Sequence, residues 1–438
     1  MDYSEPQEVV DSLPERLRAL RSQHAYTQEQ VAAEIGAAVN TYRQWELGNN
    51  VPRLGHAMAL AKLYGTGIDF LLLGADPSPT SFNETGTRWS LAWSQPSPDQ
   101  VKAAEFWLEL IEGEKTGEIA KRHAVAHGDI EQRLQSLILH DNIHITEVSR
   151  NRDLEAQISD VFRQGGPDSL LREVRVAKVG HIDSTLVRFV LLGHLAKRYF
   201  VENVRVDNSV GLCGGFAVSR MVYSLQRGEC PAVNVYPIAV SPKIESPHVS
   251  ANSLAGVLAY RHYKMGVKAH ELPFFSAEDL TNATSPSAAD ARDTLDRASE
   301  VDFAFMGVGG LDKGALATNI PRLRIELLSM SPQKTQGSAA AEVVGNVLYY
   351  LVDRNGTIPD DFRDQNQRLV CSIGLEGLQH IVGSGKRVVI VAIGKDKTAV
   401  TRVAVQSQYA NVLIIDDVLA SGLLEDLRKK GDGINRAA

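Results

Sequence analysis

The stretch from Asn252 to Val412 constrains this chain most, because it and its margins repeat one pattern. Three blocks carry it: YPIAVSPKIESPHVSANSLAGVLAYRHYKMG from Tyr236, VDFAFMGVGG from Val301, and RVVIVAIGKDKTAVTRVAVQSQYANVLIIDD from Arg387. They hold short apolar strands, small-residue loops and two candidate helix starts, the reading of an α/β ligand-binding domain. The order strand, small-residue turn, helix is where open α/β sheets place a ligand, beyond the carboxyl ends of the strands. That predicts a small-molecule site and says nothing of catalysis.

At 438 residues the chain is long enough for at least two cores, one of them large. Its formal net charge of -7 means that any nucleic-acid contact must come from a local patch. The opening MDYSEPQEVVDSLPERL has neither a basic leader nor an apolar core, and no apolar run approaches a membrane span. A cytoplasmic protein without membrane contact is expected. Cys213, Cys230 and Cys371 are too scattered for a disulfide framework or a sulfur-rich metal site, so reduced thiols are expected.

Residues 13–74 read as a compact all-helical domain of five helices. Pro14 stands at a first helical position and places Leu17 and Leu20 along one side. Thr27 caps TQEQVAAEIG, with Gln30 as the partner in a capping box, and Gly36 stops it. A second short helix, about Val39 to Leu47, follows after a few residues, which is helix-turn-helix spacing. LGHAMALAKLYG and IDFLLLG complete the set. A helical protein-docking domain would share these features. The outward set Val39, Asn40, Arg43 and Gln44 favours DNA, since Asn and Gln can read adenine edges and Arg a guanine or a phosphate. Gln28, at the start of the preceding helix, is placed for backbone phosphate. Trp45 reads as core. TQEQVAAEIG followed by NTYRQWELGNNVP resembles the phage-repressor (XRE) class of helix-turn-helix domains, which implies that Gln28, Asn40, Arg43 and Gln44 touch DNA.

Residues 75–99 are rich in Ser, Pro, Thr and Gly and read as a linker, with Trp89 and Trp93 hinting that part of it packs. Residues 100–150 read as a second small helical unit: VKAAEFWLELIEG, then GEIAKRHA capped by Thr116, IEQRLQSLILHD begun by Asp129, and an alternating NIHITEV that could form a wing. This unit resembles the helix-turn-helix ahead of the effector domain in the SorC family of sugar-responsive regulators. Ala126 and His127 stand where that family has a Ser-Arg pair, and Glu131 falls on the expected outer face, where an acid opposes phosphate. A spacer or dimerisation role is therefore expected.

Residues 151–438 form the large domain. LREVRVAKV reads as its first strand, and an edge-forming apolar piece ends at Val210. Gly211, Gly214 and Gly215 then precede a helix, and backbone amides at such a turn can cradle an anion, although a purely structural turn would look the same. No dinucleotide fingerprint is present, His248, His262 and His270 lack metal-ligand spacing, and no cofactor or metal is expected.

From Leu170 to Glu425 the chain resembles the SorC-type sugar-binding domain. The matching blocks are VGLCGG, PIAVS with ANSLAGVLAYRHYKMG, DFAFMGVGG, GSAAAEVVGNVLYYLVDRNG, and AIGKDKTAV with NVLIIDDVLASGLL, in family order. The resemblance implies a Rossmann-like α/β fold related to ribose-5-phosphate isomerase, glucosamine-phosphate deaminase and coenzyme A transferases. It also implies an effector, commonly a phosphorylated sugar, lined by Gly211, Gly214, Gly215, Asn252, Gly307, Gly309, Asp353 and Lys397. Lys397 is the charged candidate for an anionic ligand, its other reading being an exposed helix-start lysine, and Lys395 could act in its place. Val240, Ser241, Leu212 and Cys213 replace residues usual in the family, which leaves room for a different effector.

The expectation is a cytoplasmic, effector-controlled repressor that binds operator DNA as a homodimer or homotetramer. One alternative is a carbohydrate-phosphate-processing enzyme with an autoregulatory DNA-binding module, for which Asp416, Asp417, Asp353 and Glu342 are the available carboxylates. The other is a protein-interaction scaffold.

Overall fold

The computed structural model describes residues 13–64 (without 25, 51 and 53), 71, 81–82, 88–91, 97–139, 143–164, 170–241 (without 227), 249–310 (without 283) and 343–435. The chain divides into two units, Met1–Ser149 with Ile182–Val187, and Arg150–His181 with Arg188–Ala438.

The first unit opens with helices α1 (Leu13–Gln23), α2 (Gln28–Glu34), α3 (Val39–Glu46) and α4 (Leu54–Leu63). Their apolar positions recur three and four residues apart, and Leu17, Val31, Tyr42, Trp45, Leu60 and Leu71 close into one core. The capping box forms: the Gln30 N–H donates to Thr27 Oγ1 at 3.2 Å and the Thr27 N–H to Gln30 Oε1 at 2.8 Å. The fifth helix expected over IDFLLLG lies, Leu71 apart, outside the described residues.

Next come β1 (Ser81–Phe82), β2 (Arg88–Leu91), α5 (Pro98–Ile111), α6 (Thr116–His123), α7 (His127–Leu139) and β3 (Ile143–Glu147). The three strands make one antiparallel sheet in the order β1-β2-β3. The stretch expected as a linker thus supplies two strands, of which β2 pairs with the expected wing strand β3 and β1 with β2. Strands of two and four residues are too short for an alternation to show in sequence, so only β3 was legible. The stretch also holds the start of α5, where Ser97 and Gln100 form a second capping box.

The second unit contains α8 (Arg152–Gln164), β4 (Glu173–Ala177), α9 (Thr185–Asn203), β5 (Ser209–Leu212), α10 (Phe216–Ser224), β6 (Asn234–Pro237), β7 (Ala239–Val240), α11 (Ala251–Arg261) and β8 (Lys268–Ala269). It continues through α12 (Ala277–Asn282), α13 (Pro286–Ala298), β9 (Phe303–Met306), β10 (Val308–Gly310), β11 (Val343–Val347), β12 (Tyr350–Asp353), α14 (Asp360–Leu369) and β13 (Cys371–Ser372). It ends with α15 (Gly374–Gly383), β14 (Arg387–Ala392), α16 (Thr398–Gln406), β15 (Val412–Asp416) and α17 (Asp417–Asn435). The first turn of α9, Thr185–Val187, groups with the first unit.

Among the described residues, seven strands form a parallel sheet in the order β4-β15-β14-β9-β5-β6-β8. The inner strands are apolar without alternation, as strands covered on both faces must be, and Val388–Val391 and Val412–Ile415 are buried throughout. The piece ending at Val210, read as edge-forming, is interior: β5 lies between β9 and β6. Its small residues suggested an edge, whereas Gly211 is needed inside, since a Cβ there would lie 2.5 Å from Ile238 Cγ2. A smaller antiparallel sheet, β10-β11-β12, follows β9. From β5 the chain steps outward through β6 to β8, and from β9 it steps the other way through β14 to β15. Strand order therefore reverses between β5 and β9, and an open α/β sheet has its crevice beyond the carboxyl ends at such a point.

Candidate functional site

In the helix-turn-helix, the five expected DNA-contacting residues fall into different environments. Asn40 is exposed and Arg43 half-exposed, while Gln28 and Gln44 are partly buried. Val39 packs partly against the helical core. Gln28 is drawn into a network: its Nε2 donates to Glu46 Oε2 at 2.6 Å and its Oε1 accepts from Arg43 Nε at 3.1 Å. Gln44 Oε1 accepts from Asn49 Nδ2 at 2.7 Å. The hub is Glu46, 3% exposed, which also accepts from Arg21 Nε at 2.6 Å and Nη2 at 3.2 Å. Burial alone would raise the Glu46 pKa, but hydrogen bonds from Arg21, Gln28 and Tyr42 outweigh it and hold the carboxyl below its ordinary value. In the sequence Glu46 stands only as part of the helix-turn-helix pattern, because its partners Arg21 and Gln28 lie 25 and 18 residues away. Its signal was its place beside Trp45, which is buried as expected.

In the rest of the first unit, the Asp183 carboxylate accepts the Thr116 N–H at 3.0 Å and the Thr116 hydroxyl at 2.8 Å, closing the start of α6. Glu131 on α7, expected to face outward, instead accepts from Ser184 Oγ at 3.1 Å. Only the tertiary return of residues 182–187 supplies that partner.

In the second unit, the expected effector residues separate into two groups. Gly214 and Gly215 follow β5, Gly307 follows β9, and Lys397 stands in the turn after β14, all at carboxyl ends of the parallel sheet. Gly215 holds φ 125°, ψ 161°, open to glycine alone, and a Cβ there would meet nothing within 4 Å. Its N–H is not free for an anion, because it donates to the Val249 carbonyl at 2.9 Å. Lys397 lies with Nζ 5.7 Å from the ring centre of Phe189 on α9. Among the described residues this ammonium has no hydrogen bond or ion pair, whereas Lys395 pairs with Glu425 at 3.8 Å. Burial lowers the Lys397 pKa, partly offset by Asp396 and Asp416.

The other expected residues are engaged elsewhere. Asn252 clamps backbone, with Nδ2 donating to the Leu272 carbonyl at 3.0 Å and Oδ1 accepting the Leu272 N–H at 2.9 Å. Asp353 accepts the N–H groups of Asn355 and Thr357, each at 2.9 Å, and so holds its own turn. Gly309 lies against Asn346, whose amide nitrogen would sit 1.9 Å from a Cβ, and so permits the β10–β11 contact. Gly211 packs inside the sheet, as above.

Asp416 and Asp417, named as carboxylates for the enzyme alternative and not as effector residues, belong to the frame of the site. Asp416, fully buried at the end of β15, accepts the N–H groups of Gly394 and Leu419 at 3.1 and 3.0 Å and is paired with Arg188. Asp417 Oδ1 accepts the N–H groups of Val179 and Gly180 at 3.2 and 2.7 Å. Of the other carboxylates considered for catalysis, Asp353 is similarly committed and Glu342 lies outside the described residues. Cys213, Cys230 and Cys371 are buried free thiols, and among the described residues no helix is long and apolar enough to cross a membrane.

A doubly wound parallel sheet with its switch-point crevice, in one chain with a helix-turn-helix head, defines a two-module class of protein. The chain belongs to the family described as "Putative sugar-binding domain", which residues 147–425 match. Residues 17–71 match the helix-turn-helix family. Over 66 residues the chain is 41% identical to the uncharacterized HTH-type transcriptional regulator YobD of Bacillus subtilis (strain 168), covering 15% of this chain and 59% of that protein. The chain thus spans somewhat over half the length of this curated relative. A transcriptional regulator of Streptococcus pneumoniae TIGR4 shares the fold at 15% identity with a TM-score of 0.51, covering 63% of this chain and 99% of that one. The full-length sorbitol operon regulator SorC of Klebsiella pneumoniae aligns at 18% identity with a TM-score of 0.49, covering 75% of this chain and 100% of that one.

Proposed function

We propose that this protein is a sequence-specific DNA-binding transcriptional regulator, a repressor, whose affinity for its operator is set by a small anionic effector. The observation that carries the reading is the Lys397 ammonium, held without an ionic partner among the described residues at the strand ends of a domain that shares its chain with a helix-turn-helix head. An uncompensated cation in partly buried surroundings is costly to keep and is explained if an anion supplies its partner. The family description suggests a sugar, and a phosphorylated one would carry the anion that the place between the Gly214–Gly215 turn and Lys397 calls for. Kinship of the large domain with ribose-5-phosphate isomerase, glucosamine-phosphate deaminase and coenzyme A transferases, and a cytoplasmic location, belong to the same proposal.

On the DNA side, Asn40 and Gln44 read base edges, while Arg43 and Gln28 meet guanine or phosphate. Gln28 and Arg43 bond each other in the free protein and exchange that contact for DNA. Paired heads on a palindromic operator need at least a homodimer, and an effector that favours one assembly geometry changes operator affinity by linkage. Repression follows most simply, since blocking a promoter needs only tight binding. Electrophoretic mobility shifts of the operator against a metabolite panel test the proposal. An anionic metabolite is expected to shift operator affinity in the wild type and to lose that effect in Lys397→Ala, whose DNA affinity without metabolite stays unchanged. A panel with no effect on the wild type would refute effector control.

A further inference from the structure

The first residue of α10 is Phe216, a large apolar side chain directly after the positive-φ turn at Gly215. It is 54% exposed. Its ring centre lies 6.3 Å from that of Phe189, with the planes tilted by 37°, and Lys397 Nζ stands 5.7 Å from the centre of the same Phe189 ring. One phenyl ring is therefore flanked by a second aromatic face and by a cation. All three groups come from the carboxyl-end turns of β5 and β14 or from α9.

The hydrogen-bonding inventory around them is short. Asp416 is committed to two amides and Arg188. Thr398 Oγ1 donates to the Lys395 carbonyl at 2.7 Å, and Ser219 Oγ to the Phe216 carbonyl at 2.8 Å. Lys395 is turned to Glu425, and the Gly215 amide to Val249. A polyhydroxylated ligand gives up water at every hydroxyl and needs a protein partner for each. Beside Lys397, Arg188 adds a second cationic donor, its Nε buried without a hydrogen-bond partner among the described residues, so this wall offers two ring faces next to positive charge, which suit one anionic group and a flat apolar body.

We infer that the effector of this site is an aryl anion, a carboxylate or phosphate carried on a planar apolar ring, with the anion on Lys397 and the ring against Phe189 and Phe216. This rests on the reading of the strand ends as the effector site and narrows the class of ligand. Isothermal titration calorimetry of the full-length protein with phenyl phosphate, benzoate, benzamide and glucose 6-phosphate tests it.

One of the two aryl anions is expected to bind at least about tenfold tighter than glucose 6-phosphate, and the tighter of them names the anionic group. Benzamide, which has the ring without the charge, binds more weakly than benzoate. Phe216→Ala removes most of the tenfold preference, Phe216→Leu less of it, and Lys397→Gln abolishes the advantage of benzoate over benzamide. Phe216 is exposed, and matching melting curves verify that its variants fold. Glucose 6-phosphate binding as tightly as the aryl anions, or an aryl preference that survives Phe216→Ala, overturns the aryl assignment while leaving an anionic effector site standing. Should no anion bind the wild type, the effector site falls as well.

Discussion

Lys397 and Glu46 are two charged residues whose surroundings treat them in opposite ways. Lys397 is partly buried beside Phe189 and has no ionic partner among the described residues, so its charge opposes folding at neutral pH. A lysine whose folded pKa lies below its unfolded value binds fewer protons in the folded state, so its contribution to stability improves as pH rises between the two values. Lys397→Met is therefore expected to raise the melting temperature, by about 0.5–2 kcal/mol of stability, while abolishing the effector response. A lower melting temperature in calorimetry would mean that the ammonium has a structural partner. Glu46 is the reverse case, a buried carboxylate with its donors in place. Glu46→Ala leaves Arg21 without its carboxylate and should destabilise the helix-turn-helix by about 3 kcal/mol, the low end for a buried pair because Arg21 keeps its bond to the Tyr26 carbonyl and some contact with water. The Glu46 contribution is complete above the ordinary glutamate range, about pH 4.3, and is lost as pH falls through its depressed folded value. An acid titration of the wild type against Glu46→Gln should show this as a loss of stability specific to the wild type.

Among the elements, α3 and α7 occupy comparable places in their helical units but differ in what they leave open. On α3, Asn40 is exposed and the Gln44 side chain, among the described residues, bonds Asn49 in the next turn. On α7, Glu131 is taken by Ser184, and the preceding α6 is closed by Asp183. Asn40→Ala and Gln44→Ala should each lose about 1–3 kcal/mol of discrimination between the operator and a scrambled duplex, with helical content unchanged. Glu131→Ala should leave that discrimination intact, and a relaxed specificity in this variant would assign the reading role to α7. Asp183→Ala removes two hydrogen bonds from the start of α6, at a cost of about 1 kcal/mol, measurable by chemical denaturation. Its carboxyl is held below the ordinary aspartate value by the Thr116 hydroxyl and then the Thr116 amide. This support is therefore present above the ordinary aspartate range and fades as pH falls below it.

For the whole molecule, the proposal ties a head that reads DNA to a domain that holds a ligand. Within the second unit, Arg188 and Phe189 of α9 stand at the strand-end site. Light scattering is expected to give a dimer or tetramer. Footprinting should give two protected half-sites with centres about 34 Å apart, or a multiple of that, related by a two-fold axis. A single unpaired footprint on a monomeric protein would contradict the linkage mechanism.

Patterns confined to a few adjacent residues were legible in the sequence. The Thr27–Gln30 capping box, the helix-turn-helix spacing, the apolar strands Val388–Val391 and Val412–Ile415, and the turns after β5 and β14 are local, because helix caps and strand burial depend on neighbours in the chain. The chain alone left undecided which polar groups would find partners. Asn252 resembles a ligand residue until the backbone of Leu272, 20 residues on, is brought to it. Lys395 and Lys397, two residues apart, are separated by Glu425, which approaches the first and leaves the second beside Phe189. The strands at 81–82 and 88–91 became strands through pairing that runs out to β3. A hydrogen-bond partner distant in sequence is supplied by chain topology, which is why these assignments required the tertiary structure.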